Sequence, residues 1–205
     1  MNNKNVENNI LINEIVELEY EMFDKVIGIN GREPCQNDYK TFYIMRYSQH
    51  KVFSKQTLES YKDDLIKAKI ENRNLVTEKY GYMMEISDND YYERVLKNRL
   101  PLCTKEKIDL INNIMFILNR ENDKLKKNHS KTYEKLRFNN QEKVITMEDY
   151  IFGELKTYSK RTLENWISDI VYLIIKGENI FETIQKQIIN FYNFEDLDKT
   201  IIKII

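Results

Sequence analysis

Four polar residues fall on helix faces that are otherwise apolar: Glu19, Arg46, Gln49 and Glu154. Glu19 lies four residues after Ile15 and three before Met22, in mid-stripe of the first periodic segment. Glu154 sits among Tyr150, Ile151, Leu155 and Tyr158, while Arg46 and Gln49 share a side with Phe42, Met45 and Phe53. A carboxylate in a core is costly unless it is paired and hydrogen-bonded. Arg46 is the natural partner, bidentate to Glu19 or Glu154. Two readings follow. One is a buried network that fixes packing. The other is a pocket in which Glu19 and Glu154 serve as acid/base groups or polar anchors, Arg46 binds an anionic group and Gln49 orients it. Under the second, Arg46→Ala abolishes ligand binding and leaves the helices folded; outright unfolding favours the first.

Cys35 is the remaining candidate for catalysis. A thiol just ahead of a helix N-terminus is stabilised as the thiolate by unpaired N–H groups. No Cys/His signature accompanies it, and the carboxylate of Asp38 opposes a thiolate. Asp38 or Asn37 is expected to cap the next helix. On that helix Ser48 points away from the apolar side, and His50 lies on the polar side. Cys103, beside Pro101, is a weaker candidate. The chain has two His, His50 and His129, and neither belongs to a Glu-x-x-His pair, so no metal site is expected. There is no phosphate-binding Gly-rich loop and no nucleophile elbow, and no cofactor is indicated.

The elements that must position these residues are helices. Five Gly and 2 Pro in 205 residues are too few for an all-β chain, and 32% charged with 41% hydrophobic residues suits amphipathic helices. The segment Ser54-Lys55-Gln56-Thr57-Leu58-Glu59 returns as Ser159-Lys160-Arg161-Thr162-Leu163-Glu164, 105 positions on. Leu11-Ile12-Asn13-Glu14-Ile15-Val16 is echoed by Leu110-Ile111-Asn112-Asn113-Ile114-Met115, 99 positions on. The expectation is one all-α domain over 1–205: a helical bundle of two tandem, diverged copies of a four-to-five-helix unit. The copies span about 10–100 and about 104–205 and are packed with pseudo-twofold symmetry. Gln49 and Glu154 are then counterparts, and Leu118 stands where the first copy has Glu19. Ser54, Asn74, Ser159 and Asn179 are helix caps, Ser87 caps a short fifth helix, and Thr146 with Asp149 forms a capping box. Leu163, Trp166, Ile167, Ile170, Val171 and Ile174 make the widest apolar stripe.

A net charge of −1 gives no reason to expect nucleic acid as a partner. The basic stretch from Lys126 to Lys143 reads as a solvated loop. The polar start and the absence of a long apolar run point to a cytoplasmic protein with no membrane span. The partners left are a small-molecule ligand or a protein; for the latter Tyr43, Tyr47, Tyr91 and Tyr92 would form an exposed docking surface.

The chain resembles the bacterial domain-of-unknown-function family 4125. The resemblance rests on Cys35-Gln36-x-Asp38, Met45-Arg46-x-Ser48-Gln49, Arg73-Asn74-Leu75, Glu78-Lys79-Tyr80 and Met83-Met84. In the second half it rests on Gly153-Glu154-Leu155, Tyr158-Ser159, Thr162-Leu163-Glu164 and Gly177-Glu178-Asn179. Asn72 departs from the Gly expected before Arg73. The family implies no activity, but it adds Gln36 and Ser48 to the residues of interest. The candidates are therefore Cys35, Glu19 and Glu154 for catalysis, and Arg46, Gln49, Asp38, Gln36 and Ser48 for ligand binding. Whether the protein is an enzyme stays open.

Overall fold

A computed structural model of the chain describes residues 3–28, 31–128 and 147–192, and among these the backbone is helical with no strand. Helix α1 is Asn3–Phe23, α2 Tyr39–His50, α3 Lys55–Ile70 and α4 Leu75–Ser87. A short α5 at Asn89–Tyr91 runs into a π-helical turn at Tyr92–Leu96; α6 is Lys105–Asn128, α7 Met147–Leu155, α8 Lys160–Ile175 and α9 Ile180–Tyr192. Among the described residues no helix is long and apolar enough to cross a membrane.

Short polar side chains start these helices by accepting backbone N–H groups that have no partner inside the helix. Asp38 accepts from Thr41, Ser54 from Thr57, Asn74 from Thr77 and Ser159 from Thr162, at 2.9–3.3 Å. Asn179 Oδ1 takes the N–H groups of Phe181 and Glu182. Asp88, not Ser87, caps α5; the Ser87 hydroxyl donates back to the Met83 carbonyl. Thr146 and most of the basic stretch, including His129, Lys131, Lys135 and Arg137, lie outside the described residues.

Two helix ends need a left-handed residue. Asn72 (φ 54°) follows α3 and Gly177 (φ 75°) follows α8. Beyond each, an N–H reaches back five residues, Arg73 to the Ala68 carbonyl and Glu178 to that of Leu173, which closes the helix end. Asn is the side chain that best tolerates this conformation after Gly, so Asn72 makes the turn for which Gly was expected. Helix α1 ends at Phe23. The Gln36 amide, held in a 3₁₀ turn at Pro34–Asn37, donates to the carbonyls of both Phe23 (2.7 Å) and Val26 (3.0 Å).

The packing order explains the core. Helix α1 touches α2, α3 and α4, and α6 touches α7, α8 and α9. Between these two sets α3 meets α8, α4 lies along α7, and α2 lies along α9. Ile12, Ile15, Leu58, Leu65, Ile111, Ile114, Leu118, Leu163 and Ile170 are buried where the helices converge. The stripe on α8 is narrower than expected, since Val171 is exposed.

At the α3–α8 crossing each helix completes the other's first turn. Asp169 accepts the Ser54 N–H (2.9 Å) and the Thr57 hydroxyl (2.6 Å). Asp64 accepts the Ser159 N–H (2.9 Å) and the Thr162 hydroxyl (2.6 Å). The ring pairs Phe53–Trp166 (4.6 Å) and Tyr61–Tyr158 (4.7 Å) cross the same boundary. Each carboxylate takes two bonds, and a hydrogen bond to a charged acceptor is worth about 1.5–3 kcal/mol. Asp64→Ala and Asp169→Ala are therefore each expected to lower stability by about that much. Urea unfolding followed by circular dichroism measures it; a loss from one and none from the other would contradict the equivalence of the two ends.

Candidate functional site

Helix α2 carries Arg46, Gln49 and His50 on one face, one turn apart, and directs them between α1 and α7. The Arg46 guanidinium lies between two carboxylates. Its Nε donates to Glu19 Oε2 at 2.8 Å and its Nη2 donates to Glu19 Oε1. Toward the other side Nη2 donates to Glu154 Oε1 (2.9 Å) and Nη1 to Glu154 Oε2 (3.1 Å), while Nη1 also reaches Gln49 Oε1 at 2.7 Å. A guanidinium has five N–H donors, and all five are taken up inside the protein.

Both carboxylates are also saturated. Glu19 accepts the Tyr61 hydroxyl at 2.7 Å, and His50 Nε2 stands 3.1 Å from both of its oxygens. Because a carboxylate only accepts, Nε2 is the protonated nitrogen of that ring. Glu154 accepts Lys79 Nζ at 2.6 Å, the Tyr158 hydroxyl at 2.6 Å and Gln49 Nε2 at 3.3 Å. Burial alone would raise the Glu19 pKa, but the charge of Arg46, with His50, outweighs it and takes the group down to about 2. Glu154 is likewise held well below the usual carboxylate range, burial being overcome by Arg46 and Lys79. Tyr61 and Tyr158 are pushed well above the ordinary phenol value by burial and by the carboxylates they donate to, so both stay protonated.

One side of this network faces a cavity of about 380 Å³. Glu19, Arg46, Lys79 and Glu154 form its polar wall, and Phe23, Phe42, Met45, Leu75, Val76 and Tyr80 its apolar wall. Cys35, Asp38, Thr41, Tyr61, Tyr150 and Thr157 complete the lining. Lys79 Nζ also sits 5.7 Å from the centre of the Tyr150 ring. Tyr80 is raised to about 12, by burial first and then by Tyr150 and Cys35.

Of the eight candidates, five share this cavity: Cys35, Asp38, Glu19, Arg46 and Glu154. Gln49 lies one bond behind them, between Arg46 and Glu154. Gln36 and Ser48 are not in the wall. The Gln36 side chain is buried and spent on the end of α1, with its Oε1 accepting from the Glu33 N–H. Ser48 is fully buried, not turned outward, and its hydroxyl has no hydrogen-bond partner among the described residues. Cys35 is exposed and belongs to the 3₁₀ turn, so it does not sit at the head of α2. Cys103 is not in the cavity lining; its Sγ lies 3.8 Å from the Lys156 carbonyl. Among the described residues no three His, Cys, Asp or Glu side chains converge as metal ligands would.

His50 and Lys79 are the members that periodicity left out. His50 is buried, contrary to its placement on a polar face. Lys79 had a signal of the same kind as Glu19, since it lies four residues after Leu75 and three before Tyr82 on an apolar stripe. Of the tyrosines offered as a docking surface, Tyr43, Tyr47 and Tyr91 are half-buried. Tyr43 and Tyr47 stack on each other at 5.5 Å and meet Phe191 edge-on, and Tyr92 is buried.

An all-helical chain with a saturated ion network at the wall of a cavity defines a structural class and no activity. The chain belongs to the family described as Protein of unknown function (DUF4125), whose profile matches residues 9–200. No curated protein and no solved structure matches it.

Proposed function

We propose that the chain binds a small molecule in the cavity between α1, α2, α4 and α7. The observation that carries this is a space of about 380 Å³ into which six separate segments bring both charged groups and aromatic rings. Ligand pockets span roughly 300–1,000 Å³ and combine an apolar lining with a few fixed polar groups. A carboxylate with a pKa of about 2 is a weak base near neutral pH, so Glu19 is better suited to positioning than to proton transfer. With every N–H of Arg46 occupied, the part of contacting a ligand anion passes from Arg46 to Lys79. Cys35 is the nucleophile at the opening if the ligand is also transformed.

We further infer that the chain is two diverged copies of one helical unit about a pseudo-twofold axis. The reciprocal carboxylate caps of α3 and α8 support this, as do the matching contacts of α1 and α6 and the left-handed residues 105 positions apart. Asn74 and Asn179 also donate to equivalent places, the carbonyls of Met22 and Glu121. On this reading the second copy has Leu118, Ile151 and Trp166 where the first has Glu19, Arg46 and Tyr61. The polar site then exists once.

A thermal-shift screen of small polar metabolites tests the binding reading. Hits are expected to raise the melting temperature of the wild type and not of Thr41→Trp. That variant places an indole at the opening while keeping the residue-41 N–H that Asp38 caps. Hits that shift both proteins equally, or a screen with none, would count against the cavity.

A further inference from the structure

The hydrogen-bond inventory of the wall narrows the ligand. Of its five charged groups, Glu19, Arg46 and Glu154 are consumed by one another and by Tyr61, Tyr158, His50 and Gln49. Two charged groups keep capacity, and they have opposite signs. An ammonium has three donors, and Lys79 spends one on Glu154. A carboxylate offers about four acceptor sites. Asp38 receives the N–H of Thr41 at 3.0 Å and, from the same residue, its hydroxyl. Those bonds hold Asp38 ionised, its pKa lowered by the Thr41 N–H. The rest of the lining is largely apolar and aromatic.

A simple anion would satisfy Lys79 but would leave the free acceptor sites of Asp38 at the exposed rim to solvent, and the five groups together carry one net negative charge. A simple amine would satisfy Asp38 but would compete with Lys79 for Glu154. A molecule bearing both charges meets both. We infer that the cavity takes a zwitterionic small molecule of the amino-acid kind, with its carboxylate on Lys79, its ammonium on Asp38 and an apolar or aromatic side chain against Phe23, Phe42, Leu75 and Tyr80. This rests on the cavity being a ligand site.

Isothermal titration at pH 7 with L-phenylalanine, L-leucine, 3-phenylpropanoate and 2-phenylethylamine tests it. One amino acid or both bind, and each single-charge analogue binds weaker than L-phenylalanine by roughly tenfold or more, the loss of one charge-assisted contact. Asp38→Asn, which keeps a good helix cap, weakens the amino acid by a similar factor and does not weaken 3-phenylpropanoate. Lys79→Met weakens the amino acid and does not weaken 2-phenylethylamine, and Lys79→Arg recovers part of the loss; circular dichroism confirms that each variant is folded. The inference is overturned if 3-phenylpropanoate binds as well as L-phenylalanine, if Asp38→Asn has no effect, or if neither amino acid binds. A singly charged or neutral hit that is lost in Thr41→Trp would sustain the cavity as a ligand site while sinking the zwitterion. An empty screen would sink both.

Discussion

Replacing Arg46 by Ala is expected to destabilise the protein by about 3–5 kcal/mol, the usual result of removing one partner from a buried charge pair, and to invert its response to acid. In the wild type the folded Glu19 value of about 2 lies below its ordinary 4.5, so its contribution to stability is present above pH 4.5 and is lost as pH falls toward 2. In Arg46→Ala burial acts on Glu19 with only His50 and Tyr61 for support, and Glu154 retains Lys79, Tyr158 and Gln49. Burial then raises Glu19 above its ordinary value, proton uptake at Glu19 favours the folded state, and stability rises on mild acidification, opposite in sign to the wild-type contribution of that group. Arg46→Lys keeps the charge but has three donors for the five positions, and should fall between the two. Urea unfolding from pH 4 to pH 8 measures all three. A variant as stable as the wild type, with the same pH profile, would show that the network contributes little to the fold. Loss of binding in Arg46→Ala cannot by itself identify a ligand contact; Lys79 is the better probe.

The second large effect is expected at Gly153, where α7 crosses α4. A Cβ there would lie 2.6 Å from the Lys79 carbonyl oxygen, 2.6 Å from Met83 Cγ and 3.3 Å from the Met83 nitrogen. Two of these atoms are backbone and cannot swing aside, so Gly153→Ala must push the helices apart. Overpacking of this kind costs typically about 1–3 kcal/mol. It also moves Glu154 relative to Lys79, so any ligand found for the cavity should bind more weakly than to wild type. Gly81→Ala is the control. Its Cβ would meet the tip of Leu100 at 3.0 and 3.1 Å, and a side-chain end can shift. Melting temperatures that fall equally for the two variants would contradict the backbone clash.

Much of the architecture was legible because it follows from local chemistry. Ser54, Asn74 and Ser159 announce helix starts by residue type, and the stripes through Ile15, Leu65 and Ile170 give the buried faces. The site was legible in part for the same reason, since Glu19, Arg46 and Glu154 break apolar stripes that packing brings together. What was not legible depends on partners far along the chain. His50 and Ser48 looked outward because α2 was read with one buried face, whereas α1 flanks it on one side and α9 on another. The hydroxyls of Tyr61 and Tyr158 sit on residues that apolar stripes accept without comment, and helical spacing cannot say that a carboxylate waits beyond the ring. Lys79 could have been found by the test that found Glu19. The need for Gly153 could not, because it comes from the backbone of another helix.

The exchanged caps of α3 and α8 also bear on how the chain folds. Helical proteins are usually quick because most of their contacts are between near neighbours along the chain. Here the bonds that complete two central helices join residues 95 to 115 positions apart. Individual turns can form in microseconds or less, yet neither central helix has its full set of partners until a loop of about a hundred residues has closed. The encounter of the two halves of the chain is therefore expected to limit the rate of reaching the native state, and a helical signal acquired early would report helices still waiting for each other.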